Sequence, residues 1–86
     1  MILGKNILLK IIKGDYMRLR IRDLREDADL KQQTLANFLC IKQNTYSQYE
    51  RCVRVPPIEV LIKLAEYYGV SVDYILGLTD NPKRNT

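Results

Sequence analysis

Residues 31–51 read KQQTLANFLCIKQNTYSQYER, two short helical patterns on either side of a break. Leu35, Ala36 and Leu39 recur at i, i+1 and i+4, which gives the first pattern one apolar stripe. Cys40, Ile41 and Lys42 interrupt it. From Gln43 the pattern restarts, with Tyr46 and Tyr49 three apart on one face and Gln43, Asn44, Ser47 and Gln48 on the other. Helices this short do not persist alone in water, so both must pack on neighbours. The polar face of the second is rich in amides and hydroxyls and nearly free of charge. A merely solvated face usually carries Lys and Glu, whereas Gln, Asn, Thr and Ser suit hydrogen bonding to base edges.

On these residues the segment resembles the Cro and lambda-repressor-like helix-turn-helix domains, the xenobiotic-response-element (XRE) family. The matching residues are Gln32, Leu35, Ala36, Ile41, Thr45, Ser47 and Glu50. The match continues through Pro56, Glu59, Leu61-Ile62-Lys63-Leu64-Ala65 and Gly69-Val70-Ser71-Val72-Asp73. It runs from residue 17 to about residue 77, and the downstream LAEYYGVSVDYILG makes it far more specific than a bare helix-turn-helix pattern. The resemblance implies an all-α, five-helix domain with an extra N-terminal segment. It implies a bacterial or phage transcriptional regulator, most often a repressor, that binds double-stranded DNA as a homodimer.

The 86 residues suffice for one domain with a modest core and no metal or disulfide support. Net charge is +4, but it is spread thinly. Residues 1–16 hold three lysines against Asp15, residues 17–76 hold nine Lys/Arg against eight Asp/Glu, and the tail holds Lys83 and Arg84 against Asp80. A claim for DNA therefore rests on where charges sit rather than on their sum. Cys40 and Cys52 are too few for a disulfide scaffold, and without histidine there is no zinc set. They bracket the second helix, which separates them by about 14 Å, beyond the ~7 Å reach of a disulfide. Two free thiols and a reducing, cytoplasmic setting are expected. No apolar run is long enough to span a bilayer.

Residues 1–16, MILGKNILLKIIKGDY, fall outside the family pattern. Three readings stay open: an added element for packing or dimerisation, a cationic membrane-surface segment, or translated leader. The codons AAA GGA GAT TAT ATG would encode Lys13-Gly14-Asp15-Tyr16-Met17 and contain a purine-rich ribosome-binding sequence, which would place natural translation initiation at Met17. The coding DNA tests this, since other codons remove the support. The expected organisation is an extension over 1–16, a helix-turn-helix domain over 17–77 and a polar tail over 78–86.

Leu19, Ile21 and Leu24 interleave with Arg18, Arg20, Arg22 and Arg25, an amphipathic first helix ending near Asp27-Ala28-Asp29. The resemblance implies an ion pair between Arg25 and Glu50, against the alternative of two ordinary surface charges. The family usually has Thr or Ser where Lys31 stands; lysine cannot cap a helix, so the cap is either lost or supplied by Asp29. Cys40 and Cys52 stand where the family commonly has glycine with positive φ. A side chain in that conformation costs about 1–2 kcal/mol.

Gln43, Asn44 and Gln48 are the candidates for base edges, because Gln and Asn bind adenine bidentately through N6 and N7. Gln32, Lys42, Thr45, Ser47, Arg51 and Arg54 are the candidates for phosphate and backbone contacts, with a thymine methyl as the alternative for Thr45. Arg54 and Gln33 are equally readable as solvated surface. Tyr46 and Tyr49 read as core. Downstream, Pro56-Pro57 opens a helix in which Ile58, Leu61, Ile62, Leu64 and Ala65 form an apolar stripe to Tyr68, and Gly69 stops it. Ser71 caps a last short helix over Val72 to Leu76 with Asp73 in its first turn, and apolar residues in both helices are expected in the core.

Nothing in the sequence reads as catalytic: there is no His, nucleophile–base pair, Gly-rich phosphate loop or metal-ligand cluster. The expectation is a non-enzyme without cofactor or metal, without membrane association and without a small-molecule ligand domain. The competing reading is a protein-interaction module such as an antitoxin or antirepressor.

Overall fold

The computed structural model describes residues 19–84, and the expectations for residues 1–16 lie outside the described residues. Among the described residues five helices make an all-α domain: α1 (Ile21–Asp27), α2 (Gln32–Leu39), α3 (Gln43–Glu50), α4 (Ile58–Tyr68) and α5 (Val72–Ile75). Each supplies a narrow apolar stripe to one shared core. Leu19, just before α1, and Ile21 of α1 enter it with Leu35, Ala36 and Leu39 from α2 and Tyr46 and Tyr49 from α3. Val60, Leu61, Leu64 and Ala65 of α4 close it with Val70 and Ile75. Ser71 caps α5 by accepting from the Tyr74 backbone N–H at 3.0 Å, and Gly69 ends α4 at φ 67°. Among the described residues no helix is long and apolar enough to cross a membrane, and no disulfide joins Cys40 and Cys52.

Two residues expected in the core lie outside it. Ile58 is 69% exposed and Ile62 45%, while Val60, which the stripe had omitted, is buried. Ile58 shares the i, i+4 edge of α4 with Ile62, outside the buried arc, while Val60 in the same first turn points inward. Ile62 lies one residue round from Leu61, past the edge of the buried arc, whose true register is 60, 61, 64, 65.

Among the described residues positive φ appears at three other than glycine: Asp29 (56°), Cys40 (58°) and Cys52 (59°). The two cysteines stand where the sequence led us to expect it; Asp29 does not. After Leu39, the Cys40 N–H donates to Asn37 O at 3.1 Å and the Ile41 N–H to Ala36 O at 3.0 Å, which closes the last carbonyls of α2 and turns the chain into α3. Cys52 does the same for α3, with Val53 N–H on Gln48 O at 3.1 Å. Aspartate tolerates the left-handed region better than most side chains, so Asp29 fits without glycine. The Lys31 N-cap receives no side-chain bond, so α2 begins uncapped.

Cys40→Gly is expected to stabilise the domain by about 0.5–1 kcal/mol, the relief of strain less the greater freedom of glycine in the unfolded chain. A thermal melt checks it, with a rise of a few degrees expected. Cys52 packs half-buried against the core, so Cys52→Gly gives up contact area and should gain less.

The segment after α5 was expected as a polar tail, yet it folds back onto Arg20 at the start of α1. Arg20 holds it: Nη1 donates to Tyr74 O at 2.9 Å and Thr79 O at 2.5 Å, and Nη2 meets Asp80 Oδ1 at 2.7 Å. Its guanidinium stands 4.3 Å over the Tyr74 ring. Further on, the Ser71 N–H donates to Pro82 O at 3.0 Å. Asp80 is 99% exposed, so the ion pair itself adds little and the carbonyl bonds dominate. Arg20→Ala should therefore cost about 1.5–3 kcal/mol and open residues 77–83 to limited proteolysis, whereas Asp80→Ala should leave both nearly unchanged.

Candidate nucleic-acid interface

The turn at Cys40–Lys42 sets α3 across α2 with its amide-rich side facing out. Tyr46 and Tyr49 are buried and pin the inner side. Gln43 and Asn44 are exposed and Gln48 is half-buried, so the three residues expected to meet bases reach the surface. Lys42 is exposed in extended backbone just before α3. Arg51 is exposed at its C-terminal end and Arg54 in the following loop. Thr45 and Ser47 are half-buried on the flanks of the same helix. Residues 31–58 thus carry Lys31, Lys42, Arg51 and Arg54 against Glu50 alone. That single carboxylate lies inside, so the surface of this region is basic although the chain as a whole is nearly balanced.

Arg25 and Glu50 meet beneath α3 in a two-pronged contact. Arg25 Nε donates to Glu50 Oε2 at 2.6 Å and Nη2 to Oε1 at 3.1 Å. Nη1 of the same guanidinium donates to Leu30 O at 2.8 Å, which ties the α1–α2 turn into the pair. The side chains are 14% and 2% exposed. Burial pushes the Glu50 carboxyl up, but the hydrogen bonds from Arg25 and Gln32 with the charge of Arg25 outweigh it and hold the group below the ordinary carboxylate range. The same carboxylate raises Arg25 further above its already high value. Burial raises Tyr68 to about 12 and lifts Tyr46, which feels the charge of Glu50, higher still, so both phenols stay neutral. Neither hydroxyl makes a hydrogen bond with good geometry to the described residues.

Gln32 joins the buried pair to the surface. Its Nε2 donates to Glu50 Oε1 at 3.0 Å, and its Oε1 accepts from Gln43 Nε2 at 3.4 Å. Placed in the sequence as a phosphate contact, Gln32 has one amide N–H committed inward. Its backbone N–H in the first turn of α2 and the second amide N–H remain for a phosphate. The link from Gln32 to Glu50 had not been expected; its signal was a glutamine opening each of the two helices, at positions 32 and 43. Among the described residues no cluster of His, Cys, Asp or Glu is arranged to hold a metal ion.

Comparison with known proteins follows the same residues. The helix-turn-helix family matches residues 21–75, from the start of α1 to the end of α5. The chain is 46% identical over 63 residues to the Bacillus subtilis protein named uncharacterized HTH-type transcriptional regulator YobD, covering 73% of this chain and 56% of that protein. It is 43% identical over 53 residues to the cryptic phage CTXphi transcriptional repressor RstR of Vibrio cholerae, covering 62% and 48% respectively. It is 39% identical over 66 residues to the HTH-type transcriptional regulator ImmR of Bacillus subtilis, covering 77% and 52%. The chain spans about half the length of these relatives. No solved structure matches it.

Proposed function

Given that the chain belongs to the helix-turn-helix family, we propose that it is a sequence-specific DNA-binding transcriptional regulator, acting as a repressor. The observation that carries this reading is the outward face of α3: three amides over a buried aromatic floor, with Lys42, Arg51 and Arg54 around them. An α-helix fits the major groove, and amides there distinguish bases while cations fix the register on the phosphates. Gln43, Asn44 and Gln48 contact base edges. Lys42, Arg51, Arg54 and the first turn of α2 at Gln32 contact the phosphate backbone, with Thr45 and Ser47 beside them. Two copies bind a palindrome with half-site centres about 34 Å apart. The setting is cytoplasmic, where the two thiols stay reduced.

Selection of bound duplexes from a random-core pool tests this reading. A palindromic consensus should emerge. Gln43→Ala and Asn44→Ala should each change the preferred sequence at distinct positions by about 1–3 kcal/mol, while Arg51→Ala should weaken all duplexes alike. Recovery of no consensus, with binding equal on unrelated duplexes, would refute sequence reading by α3.

A further inference from the structure

We propose that the core binds one water molecule between the hydroxyls of Tyr46 and Tyr68 and Oε2 of Glu50, a site that joins α4 to the ion pair beneath α3. Tyr46 is fully buried, and Tyr68 packs half-buried against the core. Both hydroxyl oxygens are shut off from solvent, and neither has a hydrogen-bond partner among the described residues. A buried tyrosine hydroxyl usually finds a partner, and a partly exposed one usually keeps its polar end wet. Tyr68 does the reverse: the residue reaches solvent, yet its polar tip does not. Its ring stands edge-on to Tyr67 at 5.0 Å and 77°, which holds that tip in its direction. Both phenols feel the charges of Glu50 and Arg25, and Tyr46 also feels Tyr68, so the two tips lie beside the ion pair. Glu50 has little left to offer them. A carboxylate has about four lone-pair sites. Arg25 Nη2 and Gln32 Nε2 take two on Oε1, and Arg25 Nε takes one on Oε2. Two buried O–H donors thus face one open acceptor site. Water resolves the mismatch, because it accepts from both phenols and donates to that site, about three bonds as is usual for a buried water. Arg25 of α1, Gln32 of α2, Tyr46 of α3 and, through the water, Tyr68 of α4 then all converge on one carboxylate.

The test uses the whole chain. A high-resolution crystal structure should show one ordered water within about 3.2 Å of both hydroxyl oxygens and of Glu50 Oε2. Chemical denaturation then compares the wild type with Tyr46→Phe, Tyr68→Phe and the double variant, changes that remove an oxygen and keep the ring. Each single substitution should lower the folding equilibrium constant about fivefold, because it takes away one of the water's partners. The double variant should lose little more than either single one, since no buried phenol is then left without an acceptor. A structure in which Tyr46 bonds Glu50 directly, or Tyr68 bonds Tyr46, with no water between them overturns the proposal. Single variants as stable as the wild type or more stable overturn it too, since the hydroxyls would then be buried without partners. Losses that simply add in the double variant would show two separate contacts in place of one shared site.

Discussion

Arg25→Ala and Glu50→Ala are each expected to destabilise the domain by about 3 kcal/mol or more, because each leaves the other charge buried without its partner. In a domain of this size that corresponds to a melting temperature lower by roughly 12 °C or more. The size follows from position: Glu50 is 2% exposed and lies where α1, α2 and α3 converge. Its loss also frees Gln32 and leaves the Leu30 carbonyl as the remaining acceptor for Arg25. The double variant Arg25→Met/Glu50→Met should recover much of the loss, since apolar replacements of similar volume often match a buried pair. The pair also makes stability depend on pH. The carboxyl of Glu50 titrates lower in the folded chain than in the unfolded one, so the unfolded chain binds the proton more readily. Its contribution is complete above the unfolded value near pH ~4.3 and falls away as the pH drops through the folded value. Chemical denaturation at neutral pH and at a series of values below pH ~4 measures this. The acid sensitivity should be smaller in the double variant, and an unchanged profile there would remove Glu50 as its source.

The largest effect is expected in the salt dependence of DNA binding. Lys42, Arg51 and Arg54 are exposed on one face, and a dimer would bring two such sets to the phosphates. Each neutralised phosphate lowers the slope of log K against log salt by about 0.9, which gives a slope near −5. From roughly 50 to 200 mM salt, affinity should fall on the order of a thousandfold. Arg51→Ala should make the slope shallower by about 1 for each protomer. A gel-shift titration reads both quantities. A flat response would favour the protein-interaction module, an antitoxin or antirepressor, because the chain's thin net charge gives no long-range attraction to compensate for missing phosphate contacts.

Local order was legible where residue type and backbone demand coincide. Leu35, Ala36 and Leu39 read as one stripe and are buried as one, and Ser71 and Gly69 mark helix ends that only such residues make easily. The outward side of α3 was equally visible, because an uncharged polar face beside paired tyrosines has few other uses. Arg25 and Glu50 came from family resemblance; nothing in the composition of either segment pairs residues 25 apart. Ile58 and Ile62 were misplaced because hydropathy records what a residue prefers and omits how far the core reaches around α4. The grip of Arg20 on Thr79 and Asp80 had no local trace. It joins ends of the chain about 60 residues apart, and a tail of Thr, Asp, Asn and Pro reads as solvent until something is seen to hold it.

Tyr46 and Tyr49 share eight residues of α3 with Gln43, Asn44, Ser47 and Gln48, yet the two groups face different environments. If α3 reads bases as proposed, folding rests on the first group and target choice on the second, so a substitution in the second can change recognition without disturbing the core. The exception is the amide at position 32: it belongs to a neighbouring helix, and a change of target at Gln43 that ignored it would inherit a partner chosen for the old one.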